Sequence, residues 1–172
     1  IFTYEFEAII PGLLKRWYAE RKEMQKKMQD SGDNDIEREY WDKRQLVKKI
    51  NLNSLYGAIL NPHCRFYDKR IGQSTTLTGR AITKHMAAET NRMLTGEYDY
   101  EGKCVIYGDT DSVYFSAAPV MGEQQLDMDS AIKLYDHVSN TVSETFPQYL
   151  KDTFNVPLTT GQVMKAGREV VG

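Results

Sequence analysis

The sequence has few features of secreted, membrane-spanning or zinc-binding proteins. Only two cysteines occur in 172 residues, Cys64 and Cys104, and they show no metal-site spacing with the three histidines. We therefore expect free thiols in a reducing compartment. No apolar run reaches about 18 residues, so no membrane span is expected. The net charge of −2 gives no global basic signal, and nucleic-acid binding has to be argued from local patches.

The two ends of the sequence suggest a piece of a longer protein. The chain opens on Ile-Phe-Thr-Tyr without a methionine or a signal peptide, and it ends at Val-Val-Gly. Charged residues make up 27% and hydrophobic residues 41%, which is typical of a soluble globular domain. We expect one large domain, or one domain with a smaller excursion.

The most informative stretch is residues 105–115, which place Asp109 and Asp111 between two runs of strand-forming side chains. The Gly-Asp-Thr-Asp-Ser segment predicts a tight turn in which Gly108 supplies positive φ, and hence a β-hairpin with both acids at its tip. Residues two apart in a strand point the same way, so the two carboxylates should repel each other. A hard divalent cation such as Mg²⁺ would neutralise them.

An isolated Asp-x-Asp segment is most often only a polar, solvated turn. Here the apolar flanks favour a central, buried hairpin whose rigid scaffold could support a metal site.

Residues 9–58 predict an antiparallel helical hairpin. The first helix has an apolar stripe and then a basic half, the breaker cluster at 31–34 follows with Asp33 or Asn34 as cap, and the second helix covers 35–58. On the second helix Lys49, Asn53 and Tyr56 lie on one face, which suits a core poorly. The alternative is a helix end with Tyr56 packed inward; Gly57 would allow close approach of another chain.

The remainder predicts a mixture of helices and short extended segments. Residues 64–67 should be an extended link, and 69–95 a helix stopped by Gly96. We expect a loop at 119–127 and an amphipathic helix at 128–146 capped by Asp127 or Asp129. Pro147 should interrupt this helix, with a further helical turn to Phe154, and 163–171 should form a last strand.

Two segments, in this order and at this interval, resemble the motifs of family B DNA polymerases. Residues 49–57, Lys-Ile-Asn-Leu-Asn-Ser-Leu-Tyr-Gly, are similar to the fingers motif, and residues 107–112, Tyr-Gly-Asp-Thr-Asp-Ser, to the metal-binding motif of the palm. The residues of the fingers motif and the layout of the C-terminal half are most similar to those of polymerases of T-even-type tailed bacteriophages. The resemblance implies an α+β fold, with a fingers helical hairpin at 1–60 and part of an α/β palm at 61–172 built around the acidic β-hairpin.

The resemblance also implies roles for individual residues. Asp109 and Asp111 would be catalytic and would bind two Mg²⁺ ions, with Mn²⁺ as the alternative metal. Arg21, Lys49, Asn53 and Tyr56 would bind the nucleotide, whereas Tyr56, Gly57 and Thr110 would contact DNA. Glu169 would be an accessory acid, although Gly167 stands where related phage enzymes can carry Asp. Gln25 occupies the place of a second finger cation, so that role falls to Lys26 or is absent.

The implied activity is template-directed transfer of nucleotides from dNTPs to a primer 3′-hydroxyl by a two-metal mechanism, in viral DNA replication. The implied partners are primer-template DNA, dNTPs, the remainder of the polymerase chain and a sliding clamp, in the cytoplasm of an infected bacterium. Because the upstream metal-binding acid, the thumb and the exonuclease domain are not in this sequence, we expect the isolated chain to be inactive. The alternatives are a metal-dependent nucleotide-sugar glycosyltransferase with an Asp-x-Asp motif, and a non-catalytic polymerase-like subunit.

Overall fold

The computed structural model describes residues 5–121 and 127–170. Within these ranges the chain forms six helices and one two-stranded antiparallel sheet, which confirms the α+β class. The chain divides into two compact units, one ending at Ser74 and the other beginning at Thr75. None of the helices in the described ranges combines the length and apolar character that crossing a membrane requires. The elements are α1 (Ile9–Asp30), α2 (Asp35–Leu60), α3 (Lys69–Thr95), β1 (Val105–Asp109), β2 (Ser112–Phe115), α4 (Ala118–Met121), α5 (Met128–Phe154) and α6 (Leu158–Gly161).

The first unit contains the predicted antiparallel helical hairpin. Asn34 is the N-cap of α2, because its side chain accepts a hydrogen bond from the Glu37 N–H. The two helices run in opposite directions, since Glu20 of α1 pairs with Lys48 of α2 whereas Lys27 lies over the ring of Trp41. The structure thus confirms the hairpin and one of the two proposed caps.

Polar and amphipathic side chains dominate the contact between α1 and α2. No residue of α1 is buried, and Ile59 is the buried residue of α2. Both tryptophans lie in this hairpin beside a lysine of the opposite helix: the Lys48 ammonium is 5.9 Å from the Trp17 ring centroid, and the Lys27 ammonium is 4.7 Å from that of Trp41. Such cation–π pairs join the helices without a dry core between them.

The link between α2 and α3 differs from the prediction. Residues 64–67 are not extended; two consecutive turns replace the link, with the Cys64 N–H bonded to the Asn61 carbonyl and the Tyr67 N–H to the Cys64 carbonyl. The Asp68 N–H then returns to the carbonyl of Ile59. Local turn bonding therefore satisfies the backbone here, because no strand lies alongside this stretch in the described part of the chain.

The second unit has its core along α5. Val138, Val142, Phe146 and Leu150 recur every four residues and form one buried stripe. The half-buried side chains that pack against this stripe come mainly from α3 and the C-terminal segment, and include Ile82, Met86, Met93, Leu94, Phe115 and Ala166. The predicted cap of α5 is confirmed, since the Asp127 carboxylate accepts from the Ser130 N–H.

The acidic β-hairpin is present, but it is not buried as predicted. β1 pairs with β2 in antiparallel register, Asp109 opposite Ser112 and Gly108 opposite Val113. Ile106 is 69% exposed and Tyr107 is 57% exposed. The apolar flanks predicted burial, but burial needs a covering layer. No third strand lies beside the hairpin in the described part of the chain.

Two further predictions downstream of the hairpin are wrong over residues that the structure describes. The predicted loop at 119–127, of which 122–126 lie outside the described residues, begins inside the helical turn α4. Pro147 does not interrupt α5, which continues to Phe154. Proline removes one helical hydrogen bond, yet Phe146 and Leu150 on either side of it are buried, and each such burial contributes about 1.5–3 kcal/mol.

The segment at 163–171, predicted to be a strand, is irregular over residues 163–170, and Val171 lies outside the described residues. It attaches to α5 through a side chain. The Ser143 hydroxyl is 2.8 Å from the Ala166 N–H nitrogen, which donates to it, and 3.1 Å from the Ala166 carbonyl oxygen. A β-branched composition therefore produced no strand here, because a hydroxyl of α5 takes the place of a strand partner.

Candidate active-site residues

Asp109 and Asp111 flank the first residue of a two-residue hairpin loop. Asp109 ends β1, Asp111 precedes β2, and both side chains are exposed. Thr110 has a φ of +48°, which lies in the left-handed region. The predicted positive φ at Gly108 is wrong, because Gly108 is an ordinary strand residue opposite Val113. Since Thr110 interrupts the extended backbone, strand alternation does not place the two carboxylates on one face.

No lysine, arginine or histidine of the described residues forms an ion pair with either loop aspartate. Thr110 Oγ1 donates to Asp109 Oδ1 over 3.1 Å, and this bond stays within the loop. Among the described residues, no group of three or more metal-ligating side chains occurs. The hairpin tip therefore offers two hard carboxylate donors that no cation of residues 5–121 or 127–170 neutralises, and a metal would take its remaining ligands from elsewhere.

A cavity of about 670 Å³ in the second unit is lined by Glu169 and by both residues of the hairpin loop. Thr110, Asp111 and Glu169 line it, whereas Asp109 is not one of its lining residues. Glu169 reaches the cavity because its segment is fixed at Ala166 by Ser143, and because Arg168 Nε donates to Asp136 Oδ1 over 2.6 Å. The predicted accessory acid and Asp111 thus line one cavity.

The predicted row on α2 lies on an exposed face. Lys49, Asn53 and Tyr56 are exposed, whereas Leu52 and Leu55 of the same helix are half-buried. In the described part of the chain Lys49 has no ion pair and Asn53 has no side-chain hydrogen bond. A Cβ atom at Gly57 would meet nothing within 4 Å, so the helix surface is open there. The row thus leaves a cation and an amide available to a ligand.

Arg21, the other predicted nucleotide-binding cation, is partly engaged inside the hairpin. Its Nε donates to Gln45 Oε1 over 3.1 Å, and the residue is half-buried between α1 and α2. Gln25, one turn later, is also half-buried, whereas Lys26 is exposed. Of the two positions proposed for a second cation, Lys26 is therefore the one that carries a charge facing solvent.

Sequence reasoning missed the side chains that hold the acidic loop and the segment before it. Thr83 Oγ1 lies 2.7 Å from the Thr110 carbonyl oxygen. Asn91, which is 1% exposed, bonds the chain just before the acidic hairpin at the Cys104 N–H. These contacts join residues 13–27 positions apart, and no local pattern signals them.

His85 of α3 is buried, and each of its ring nitrogens lies within hydrogen-bond distance of a hydroxyl group. Its ring stacks on Tyr149 at 3.8 Å between centroids, Nδ1 lies 2.9 Å from the Tyr98 hydroxyl, and Nε2 lies 2.9 Å from Thr145 Oγ1. Burial lowers the pKa of His85, while the nearby Glu89 carboxylate opposes this shift. The imidazole is therefore best accommodated neutral.

The sequence model of DNA polymerase family B matches residues 3–155. The chain belongs to DNA polymerase family B. Relatives of this family B chain include a DNA polymerase of Pyrococcus glycovorans, 36% identical over 113 residues that cover 66% of this chain and 14% of the relative. A DNA polymerase of Paramecium bursaria Chlorella virus NY2A is 32% identical over 146 residues, which cover 84% and 15%.

A third relative of this family B chain comes from a phage. The DNA-directed DNA polymerase of Escherichia phage RB69 is 37% identical over 78 residues, which cover 45% of this chain and 9% of the phage protein. The matched stretches thus span at most 15% of the length of these three relatives. Family membership confirms the resemblance that the two motifs indicated, and it decides against the glycosyltransferase alternative.

Proposed function

We propose that this chain supplies the fingers and part of the palm of a DNA-directed DNA polymerase. The enzyme would transfer nucleotides from dNTPs to a primer 3′-hydroxyl under the direction of a template, by a two-metal mechanism. The observation that carries the proposal is the pair of exposed aspartates at the tip of the hairpin of a family B chain, neither of which pairs with a cation among the described residues. In this proposal residues 1–60 are the fingers and 61–172 the palm part.

The donor set of the hairpin loop suits Mg²⁺, with Mn²⁺ as the alternative. Asp109 and Asp111 would hold the metal, and Glu169 would be an accessory acid because it lines the same cavity as Asp111. Two bound ions would stabilise the charge that develops on the attacking and leaving oxygens. The protein's own task at this loop is to hold both carboxylates in place.

The exposed row on α2 would bind the nucleotide. Lys49 is a point charge for triphosphate oxygens, and the open side of the Arg21 guanidinium offers further N–H donors. Asn53 would donate its amide to the same group, and Tyr56 would stack under the nascent base pair. Gly57 leaves room for the template strand, and Thr110 would contact DNA beside the primer end.

The setting that we propose is viral DNA replication. Its support is the presence of phage and other viral polymerases among the relatives. Partners would be primer-template DNA, dNTPs, the remainder of the polymerase chain and a sliding clamp, and the place would be the cytoplasm of an infected bacterium. The 172 residues alone would not polymerise.

Substitution of the loop aspartate tests this function in the full-length polymerase. Asp109→Asn should reduce the single-turnover rate of nucleotide incorporation about a hundredfold or more, since a carboxylate ligand is lost, while primer-template affinity is kept. Asp99→Asn is the matched control, because Asp99 is an exposed turn residue whose side chain accepts the Glu101 N–H. An unchanged rate in Asp109→Asn would refute the metal assignment, and an inactive wild-type protein would favour the non-catalytic subunit.

A further inference from the structure

The loop between the two aspartates has a backbone conformation that needs external support. Thr110 has a φ of +48°, a region that β-branched residues rarely occupy. Such conformations persist only where surrounding contacts enforce them. The bond from Thr110 Oγ1 to Asp109 Oδ1 lies within the loop and moves with it. A contact from a stable element is therefore required to fix the loop.

Helix α3 provides that contact through Thr83. Its Oγ1 lies 2.7 Å from the Thr110 carbonyl oxygen and 3.2 Å from the Gly79 carbonyl oxygen. A threonine inside a helix usually returns its hydroxyl proton to the carbonyl four residues earlier, which is Gly79 here. One proton serves one strong bond, and the shorter contact is the one to Thr110. The hydroxyl thus joins α3 to the peptide that connects Thr110 with Asp111.

We propose that Thr83 is a positioning residue for the acidic loop, holding the peptide after Thr110 so that Asp109 and Asp111 stay in the arrangement that binds metal. Gly79, Thr83, Thr110 and Asp111 line the same cavity, so the helix forms a wall against which the loop is fixed. Thr83 touches no reacting group in this role and acts through the loop backbone. The inference rests on the proposed function of the two aspartates.

Loss of one such hydrogen bond has a measurable consequence. A net contribution typical of one protein hydrogen bond corresponds to about a five- to tenfold change in an equilibrium constant. Without the Thr83 donor, metal binding has to order the loop first, and the metal affinity falls by that factor. Valine has the shape of threonine without the donor, whereas serine keeps the donor and loses only a methyl group.

The test uses the full-length polymerase in its wild-type form and as Thr83→Val, Thr83→Ser and the control Thr141→Val, which changes a half-buried threonine of α5 away from the cavity. Mn²⁺ binding without nucleotide is followed by electron paramagnetic resonance, and amide exchange of residues 109–112 by mass spectrometry. We expect Thr83→Val to weaken Mn²⁺ binding about five- to tenfold and to speed loop exchange. Thr83→Ser and Thr141→Val should resemble wild type, and primer-template affinity should not change.

Two results overturn the role of Thr83: wild-type loop exchange in Thr83→Val, or equal impairment of Thr83→Ser and Thr83→Val. Failure of the proposed function has a separate signature, because it would appear as wild-type Mn²⁺ binding in Asp109→Asn. Faster loop exchange in Thr83→Val supports the positioning role whether or not Asp109→Asn changes Mn²⁺ binding.

Discussion

The buried amide of Asn91 fixes the segment that precedes the acidic hairpin, and a single added methyl group should disrupt it. Asn91 Nδ2 donates to Thr95 Oγ1 over 3.1 Å and to the Glu97 carbonyl over 2.8 Å, while Oδ1 accepts from the Cys104 N–H over 3.3 Å. A Cβ atom at Gly102 would lie 2.2 Å from Asn91 Cγ, a distance that real contacts do not reach. Gly102→Ala must therefore displace the amide.

The magnitude follows from the three bonds that the displaced amide would lose. At about 1 kcal/mol for each, Gly102→Ala should lower the free energy of unfolding by roughly 3 kcal/mol. The backbone of Gly102 is not in the left-handed region, so the cost is steric. Gly79→Ala is the matched control, because a Cβ there meets nothing within 4 Å inside α3, and alanine should stabilise the helix by about 0.5–1 kcal/mol.

Urea unfolding followed by far-ultraviolet circular dichroism measures both variants, and a double-mutant cycle identifies the cause. In an Asn91→Ala background the obstructing amide is absent, so adding Gly102→Ala should cost less than about 0.5 kcal/mol. If Gly102→Ala costs the same in both backgrounds, the clash with Asn91 is not the reason for the loss. If Gly102→Ala leaves the free energy of unfolding at or above the wild-type value, the contact itself is refuted.

Two further predictions concern the exposed row on α2 and the buried imidazole. In the full-length polymerase, Lys49→Ala should weaken nucleotide binding by about 1.5–3 kcal/mol, as expected for the loss of a charge-assisted bond, and pre-steady-state incorporation measures this. The control Lys43→Ala removes a surface lysine paired with Glu39 and should have no effect. Burial lowers the pKa of His85 below its ordinary value, so on acidification the unfolded chain binds a proton at a higher pH than the folded chain does. The stabilisation from the neutral, buried imidazole is therefore present above about pH 6.5 and is lost as the pH falls below that value. Unfolding free energies at pH 5, 6 and 7 should fall more steeply with acid in wild type than in His85→Gln, and parallel slopes would contradict this.

Features of the fold that depend on neighbours in sequence were predictable. Each of the caps Asn34 and Asp127 was one of two predicted candidates, because such side chains bond backbone N–H groups three residues away. Gly96, with a φ of +86°, follows the end of α3 as expected for a residue that tolerates this conformation. The two family motifs could likewise be recognised from the sequence, because each is a contiguous run of residue types.

Features that depend on distant partners were not predictable. Pro147 signalled a break, but burial of the residues beside it maintains the helix. The segment after residue 163 had strand composition, but it is bound by Ser143 instead of by a strand. In the site, the motif identified the two aspartates, whereas the left-handed Thr110 between them and its bond to Thr83 depend on packing between α3 and the loop.

The placement of the two tryptophans has a practical consequence. Trp17 and Trp41 are the only indoles in the sequence, and each lies beside a lysine of the opposite helix. The intrinsic emission of these 172 residues therefore arises chiefly within the helical pair that also presents Lys49. A spectroscopist can follow how α1 and α2 respond to a triphosphate without attaching a dye.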